Sequence, residues 1–440
     1  MQAGSTSPPE TALDFAPRFA SEAQVPAGRF ASEAQVPAGR FASEAHRTTP
    51  PARPGEFAAL VLGPLTVWPP VVLAPMAGVT NYPFRSLARE FGAGLYVSEM
   101  ITARGYLLEN RRTHLLASSR PEEKPRSVQI YGTDPVDVGE MARALVADGV
   151  EHIDMNFGCP VPKVTRTGGG SAVTWKPRLL ARLVRAAVAG AGGSGKNAVP
   201  VTIKVRKGLD DDTLTFLDSG RVAEAEGAAA IGLHARTAAQ LYSGAADWNA
   251  VGELVERVSI PVLGNGDIWE CWDALALMRK TGCAGVIVGR GCLGRPWLFA
   301  ELAEVFAGRE PALPPDFGRI VAVMSDHARR LMEFFGPEPG MRQMRKWCGW
   351  YTQGFPGSAR ARGELVRVRT LEEMLAVLTR FDPALPFPPA ALRVRRGKGS
   401  QCQVVALPEG YLAEKDDDTP PKSPRSAAEI AAWERALDGG

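Results

Sequence analysis

Eight short apolar runs recur between residues 71 and 288, and this repetition limits the fold more than any other feature of the chain. The runs are 71–74, 95–97, 127–130, 152–156, 201–205, 229–233, 261–263 and 285–288. Between them, segments such as 135–149, 177–190, 214–227 and 271–282 carry Ala, Leu, Arg and Glu at helical spacing. Several end in Gly, which takes the left-handed conformation that closes a helix. Strands that are apolar throughout are expected where helices cover both faces of a parallel sheet. Eight strand–helix units in about 250 residues match a (β/α)8 TIM barrel, an α/β fold. A doubly wound sheet is the alternative, but eight units without a reversal point favour closure.

The flanks follow different rules. Residues 1–55 form a leader in which the eleven residues Arg18–Gly28 recur from Arg29 to Gly39, and a third copy begins at Arg40. Each copy contains Pro and Gly and only two sizeable apolar residues, so a disordered leader is expected in place of an 11-residue coiled coil. The barrel domain is assigned to 56–312. Its first part, 57–84, has no charge and is long enough to span a bilayer, but Pro64, Pro69, Pro70, Pro75 and Pro83 would break a membrane helix repeatedly. A hairpin leading into a buried strand is expected there, and no membrane association.

Residues 313–384 are expected to form a small all-helical C-terminal domain. Between Phe317 and Arg380, eleven Lys/Arg face six Asp/Glu, with Trp347, Trp350, Tyr351 and Phe355 interleaved. The whole chain has 51 Lys+Arg against 48 Asp+Glu, so any polyanion site must come from such local clustering. The tail, 385–440, is Pro-rich and charged; one helix is expected near 426–437, and the rest reads as disordered or linker. Six cysteines with no C-x-x-C pair point away from a structural metal and toward a reducing cytoplasm. No metal site is assigned, and a monomer is expected.

In such a barrel, chemistry sits at the C-terminal ends of the strands. Those positions hold Pro75, Met76, Ala77, Gln129, Asn156, Cys159, Lys204, Arg206, His234, Arg236, Asn265, Gly266, Asp267, Gly289 and Arg290. Gly289-Arg290-Gly291-Cys292-Leu293-Gly294 formally matches a dinucleotide fingerprint, but it opens the last helix of the series and no further strand follows. Loops after strands 7 and 8 of a barrel instead build a phosphate site. Lys204 reads as a Schiff-base lysine or as a cation beside an electron-rich ring, with an ion pair to Asp154 as the structural alternative. Gln129 has a donor and an acceptor for the imide edge of a flavin, or a plain buried hydrogen bond. His234 reads as a donor to phosphate or as a satisfied strand-end histidine. Cys159 is either an inert small hydrophobe or a thiol that delivers a proton at the mouth. Cys271, Cys283 and Cys292 read as packing.

Together these residues resemble the tRNA-dihydrouridine synthases. The matching pieces are Ala74-Pro75-Met76-Ala77-Gly78-Val79-Thr80, Ser98-Glu99-Met100, Val128-Gln129-Ile130, Asp154-Met155-Asn156-Phe157-Gly158-Cys159-Pro160, Thr202-Ile203-Lys204-Val205-Arg206, His234-Ala235-Arg236-Thr237, Gly264-Asn265-Gly266-Asp267 and Gly289-Arg290-Gly291. Gly336-Pro337, Arg342 and Arg345-Lys346 look most like the bacterial B subgroup. The resemblance implies an FMN- and NADPH-using reductase of the 5,6 double bond of particular tRNA uridines. Carried over by position, Pro75, Met76, Ala77, Gln129, Lys204, His234, Asn265, Gly266, Asp267, Gly289 and Arg290 would hold FMN. Cys159 would be the proton donor, Asn156 and Arg236 would lie near the target uracil, and Arg342, Arg345 and Lys346 would contact tRNA. The loop Thr167-Gly168-Gly169-Gly170 is richer in glycine than the family's usual version, which leaves the order of the segment beside Cys159 open. Two other functions compete: an FMN barrel acting on a free pyrimidine or enone, and an RNA-binding protein with a catalytically silent barrel.

Overall fold

The computed structural model describes residues 48–397 and 401–421. The 11-residue repeats and the helix expected near 426–437 lie outside the described residues. The uncharged segment opens as expected with an antiparallel hairpin, β1 (Leu60–Leu62) and β2 (Leu65–Val67), and no helix among the described residues is long and apolar enough to cross a membrane.

All remaining strands are parallel and form one sheet: β3 (Val71–Leu73), β4 (Leu95–Tyr96), β5 (Met100–Thr102), β6 (Ser127–Tyr131), β7 (His152–Phe157), β8 (Val201–Arg206), β9 (Ala230–His234), β10 (Val262–Asn265) and β11 (Gly285–Val288). The sheet runs β4-β3-β11-β10-β9-β8-β7-β6-β5. Its two outer segments, β4 and β5, are three residues apart in the chain. Val97 N–H still bonds to the Leu73 carbonyl (3.4 Å), while Ser98 N–H already bonds to the Ser127 carbonyl (3.2 Å). One bent strand thus closes an eight-stranded TIM barrel. The sequence pattern, which assigned 95–97 alone, missed its second half because polar Ser98-Glu99 interrupts the apolar run.

Helices fill the outside for local reasons. Asp134 caps Pro135–Ala147 by accepting the Val136 N–H, and Pro135 supplies a preset φ at the first turn. The apolar side of Pro177–Gly190 buries Leu179, Leu180, Leu183, Val184, Ala187 and Val188. Trp248–Arg257 is a helix that the sequence reading did not single out.

After the barrel come α1 (Phe317–Phe335), α2 (Pro337–Tyr351), α3 (Ser358–Leu365) and α4 (Leu371–Leu378), the small helical domain. Its aromatics are core. Trp347, Tyr351 and Phe355 are buried, and the Trp347 ring lies 4.5 Å from Phe84 on a barrel helix and 4.5 Å from His327. Such ring pairs are worth about 0.5–1.5 kcal/mol beyond area burial, so they join the domain to the barrel instead of offering faces for stacking bases. Arg330 adds a two-pronged ion pair with Glu90 at 2.7 Å.

The tail departs from expectation. Arg393 pairs with Glu270 and Asp273, and buried Arg396 bonds to the Ala391 and Trp350 carbonyls. Residues 401–421 then run along the barrel with few regular elements but many fixed contacts. Irregular backbone gives no periodic signal, so the linker reading of these residues is corrected by side chains that meet distant partners.

Candidate active site

The polar strand ends converge on one mouth. Strand register puts Met100 beside Gln129, Gln129 beside Asp154, Asn156 beside Lys204, Arg206 beside His234, and His234 beside Asn265. Gly232 lies next to Lys204 in β9, where a Cβ would stand 2.6 Å from Ile287 and 3.5 Å from the lysine stem. Glycine there avoids Ile287, while the lysine stem would meet a Cβ only in ordinary contact.

A buried network underlies the site. His152 Nδ1 and Ser127 Oγ are 2.7 Å apart, and Nε2 lies 3.0 Å from Thr202 Oγ1. The Thr202 hydroxyl donates to Asp154 Oδ1 (2.6 Å), and Gln129 Nε2 donates to Asp154 Oδ2 (2.7 Å). Asn156 Nδ2 donates to Gln129 Oε1 (2.9 Å), and Asn156 Oδ1 accepts the N–H groups of Gly158 (3.1 Å) and Cys159 (2.9 Å). Burial raises the Asp154 carboxyl and holds His152 neutral, down to about 3. Gln129 therefore has a plain buried role as well as a free N–H and lone pair. Lys204 Nζ donates to Asn265 Oδ1 at 3.0 Å, so Asn265, not Asp154, holds the ammonium. Burial and Arg206 push the lysine below its ordinary value.

The opposite corner is cationic. Burial, Arg206, Lys204, Arg236 and Arg290 drive His234 well below the usual imidazole range, so it is neutral with one N–H to give. The Arg236 guanidinium is fully buried; its Nη2 meets both Asp267 oxygens at 2.8 Å, and Nε donates to the Ser243 carbonyl. Its Nη1 is buried without a partner, 3.8 Å from where a Gly266 Cβ would sit, and His234 Cδ2 is 3.5 Å from the same point. Gly266 has φ +130, and a Cβ there would stand 2.7 Å from Ala246, so the turn admits only glycine. Arg290 lies over the Tyr242 ring at 4.0 Å, and burial lowers it to about 10. An unpaired buried guanidinium N–H beside a neutral histidine and a second arginine fits a bound anion such as a phosphate.

The neighbouring turns close the mouth. The Met76 carbonyl accepts from Val79 and Thr80, and Met76 Sδ is 3.9 Å from the Gly289 Cβ position, so Pro75-Met76-Ala77 abuts the Gly289 loop. Gly291 packs on the Ile268 carbonyl, and Gly294 packs on the Trp350 backbone. Two of the three glycines in that false dinucleotide fingerprint thus serve packing. Cys159 is half-buried, and burial raises its thiol above the ordinary value, so it stays protonated at neutral pH.

The sequence of the barrel and the helical domain matches the family model described as Dihydrouridine synthase (Dus) over residues 72–384. The chain belongs to that family. Its members include a probable tRNA-dihydrouridine synthase of Mycobacterium leprae, 48% identical over 80% of this chain and 97% of the relative. A tRNA-dihydrouridine synthase B of Xanthomonas axonopodis is 38% identical over 75% and 98%, and one of Pseudomonas aeruginosa is 37% identical over 73% and 95%. This family member is a flavin-dependent oxidoreductase.

The three basic residues carried over for tRNA contact have different surroundings. Arg342 is exposed. Arg345 donates to the Val368 carbonyl within the helical domain. Lys346 Nζ turns inward to the Gly78 carbonyl and Gln343, while the Gly78 N–H donates to buried Glu99. Lys346 therefore ties α2 to the turn that carries Met76. Tyr242, Tyr131 and Trp269 also shape the site and carried no sequence signal, because none sits in a spaced motif; Glu99 lies in the Ser98-Glu99-Met100 match but was given no role there.

Proposed function

We propose that this chain reduces the 5,6 double bond of particular tRNA uridines to dihydrouridine, as a cytoplasmic monomer using FMN and NADPH. The phosphate of FMN would be held by His234, Gly266, Gly289 and Arg290, beside the unpaired Nη1 of Arg236. The ring would lie among Pro75, Met76, Ala77, Gln129, Lys204 and Asn265. FMN, reduced by NADPH, supplies the hydride for carbon 6 of the uracil.

Lys204 holds positive charge at the flavin site, where it favours the anionic reduced ring. Cys159 Sγ gives its proton to carbon 5 as negative charge develops there, and the thiolate regains a proton from water. Asn156 orients the turn that carries Cys159 through two backbone N–H groups and lies beside the uracil. A uridine packed in a folded tRNA cannot reach the mouth, so the base is extruded. Arg342 and other exposed arginines of the helical domain, among them Arg360, Arg367 and Arg369, hold the RNA backbone.

The reading is best supported by one convergence: a half-buried, protonated thiol shares a mouth with Lys204 and with a cationic corner that has an unused guanidinium N–H. The test is Cys159→Ala, which keeps FMN and lowers dihydrouridine formation, measured by mass spectrometry of tRNA, by about 10²–10⁴-fold. Unchanged activity removes the proton-donor assignment; colourless protein that refuses FMN removes the reading as a whole.

A further inference from the structure

Residues 401–421 lie beyond the part of the chain matched by the family model, yet they grip both sides of the Cys159 segment. On one side, Gln403 Nε2 donates to the carbonyl of Pro160, the residue after Cys159 (2.8 Å), and to Ala238 (3.2 Å), while Gln403 N–H bonds to Ala239 (2.8 Å). On the other, the hydroxyl of buried Tyr411 is shared between the carbonyls of Gly168 (3.2 Å) and Ala172 (3.1 Å).

The glycine-rich turn is cut to fit these neighbours. A Cβ on Gly168 would stand 2.9 Å from Pro421 and 3.1 Å from the Tyr411 ring. One on Gly169 would stand 1.9 Å from the Tyr131 hydroxyl, and one on Gly170 would stand 2.5 Å from the Cys159 carbonyl. Ser171 N–H donates to that same carbonyl at 3.0 Å. Gly168 and Gly170 also take φ of +74 and +56, a region that favours glycine. Of the three, Gly168 is fitted to the tail segment, whereas Gly169 and Gly170 are fitted to Tyr131 and to the Cys159 turn, so the run is packed on both sides and is not a loose loop.

The segment is anchored beyond these contacts. Buried Lys176 pairs with Asp417 at 2.5 Å and lies 4.7 Å over the Tyr411 ring. Trp175 Nε1 donates to the Leu412 carbonyl, and Arg182 to the Asp418 carbonyl.

We infer that residues 401–421 form a strap that sets the position of Cys159, with Gln403 and Tyr411 as positioning residues for the proton donor. The inference rests on Cys159 being that donor, but the strap can be tested without assuming it. The variant is Gln403→Ala combined with Tyr411→Phe, which removes the polar grips and leaves the Tyr411 ring packed. In flavin-loaded protein, alkylation of Cys159 by iodoacetamide is followed by peptide mass spectrometry, which counts exposed Cys402 separately. Losing these hydrogen bonds is expected to speed Cys159 alkylation roughly tenfold. It is also expected to lower kcat several-fold while KM for tRNA is unchanged, since the strap acts on the thiol and not on RNA affinity. Reverting Tyr411 alone should recover part of the slow alkylation. An alkylation rate equal to that of the unmodified protein overturns the strap. Failure of the donor reading shows up separately, as full activity in Cys159→Ala.

Discussion

Replacing Asp267 by asparagine isolates the charge that balances Arg236. The guanidinium is 1% exposed and contacts both Asp267 oxygens at 2.8 Å. Residue 267 has φ +56, a conformation asparagine tolerates, so Asp267→Asn keeps the backbone and shape and removes the charge. Breaking a buried ion pair by removing one partner costs about 3–5 kcal/mol. Asp267 is itself 22% exposed, and water at that end argues for the lower figure, about 3 kcal/mol. At roughly 2 °C per kcal/mol for a chain this large, the flavin-free variant should melt about 6 °C below the unmodified protein. Calorimetric melts repeated with saturating FMN and with riboflavin complete the assay. FMN should narrow the gap because its phosphate supplies the missing negative charge, whereas riboflavin, which has no phosphate, should leave it. Melting of the flavin-free variant within about 1 °C of the unmodified protein would refute the claim that Asp267 balances a buried charge. Equal narrowing by riboflavin would remove the phosphate from the Arg236 corner.

Arg342 and Lys346 should separate cleanly. Arg342→Glu is expected to raise KM for tRNA and to reduce the salt slope of binding by about 1, with melting unchanged; a salt slope that does not move would return Arg342 to an ordinary solvated face. Lys346→Met should instead lower the melting temperature, since it releases the Gly78 carbonyl at the junction of α2 and the barrel, and should leave the salt slope alone. The pH profile follows from the raised thiol: a donor must be protonated, and burial extends the protonated range upward. Lys204, pushed down to about 8, loses its charge first, so the thiol is read in a Lys204→Arg variant, whose kcat, with chemistry rate-limiting, should hold through the ordinary cysteine value of about pH 8.5 and fall only above it. A decline centred below that value would contradict a buried donor.

Much of the site could be read from local pattern. Asn156, Cys159, Lys204, His234, Asn265 and Gly289 were located by counting strand ends, because a parallel barrel puts every strand's C-terminus at one mouth. Their partners could not be read. That Lys204 meets Asn265 and not Asp154 depends on how the strands are ordered around the barrel. Arg236 and Asp267, carried over to different ligands, turn out to grip one another, and Lys346 points inward though it lies in a basic run.

Repeated apolar runs with amphipathic helices between them were enough to specify the barrel, since strand and helix periods are properties of a few consecutive residues. The same local chemistry marked the basic helical domain and the glycine-bearing loops after the last two strands. The strap is different in kind. Tyr411 and Gly168 are 243 positions apart, and nothing in either neighbourhood announces the other. Only closure of the barrel and the path of the chain around it bring them together, which is why three adjacent glycines looked like slack in the sequence and form a fitted seat in the folded protein.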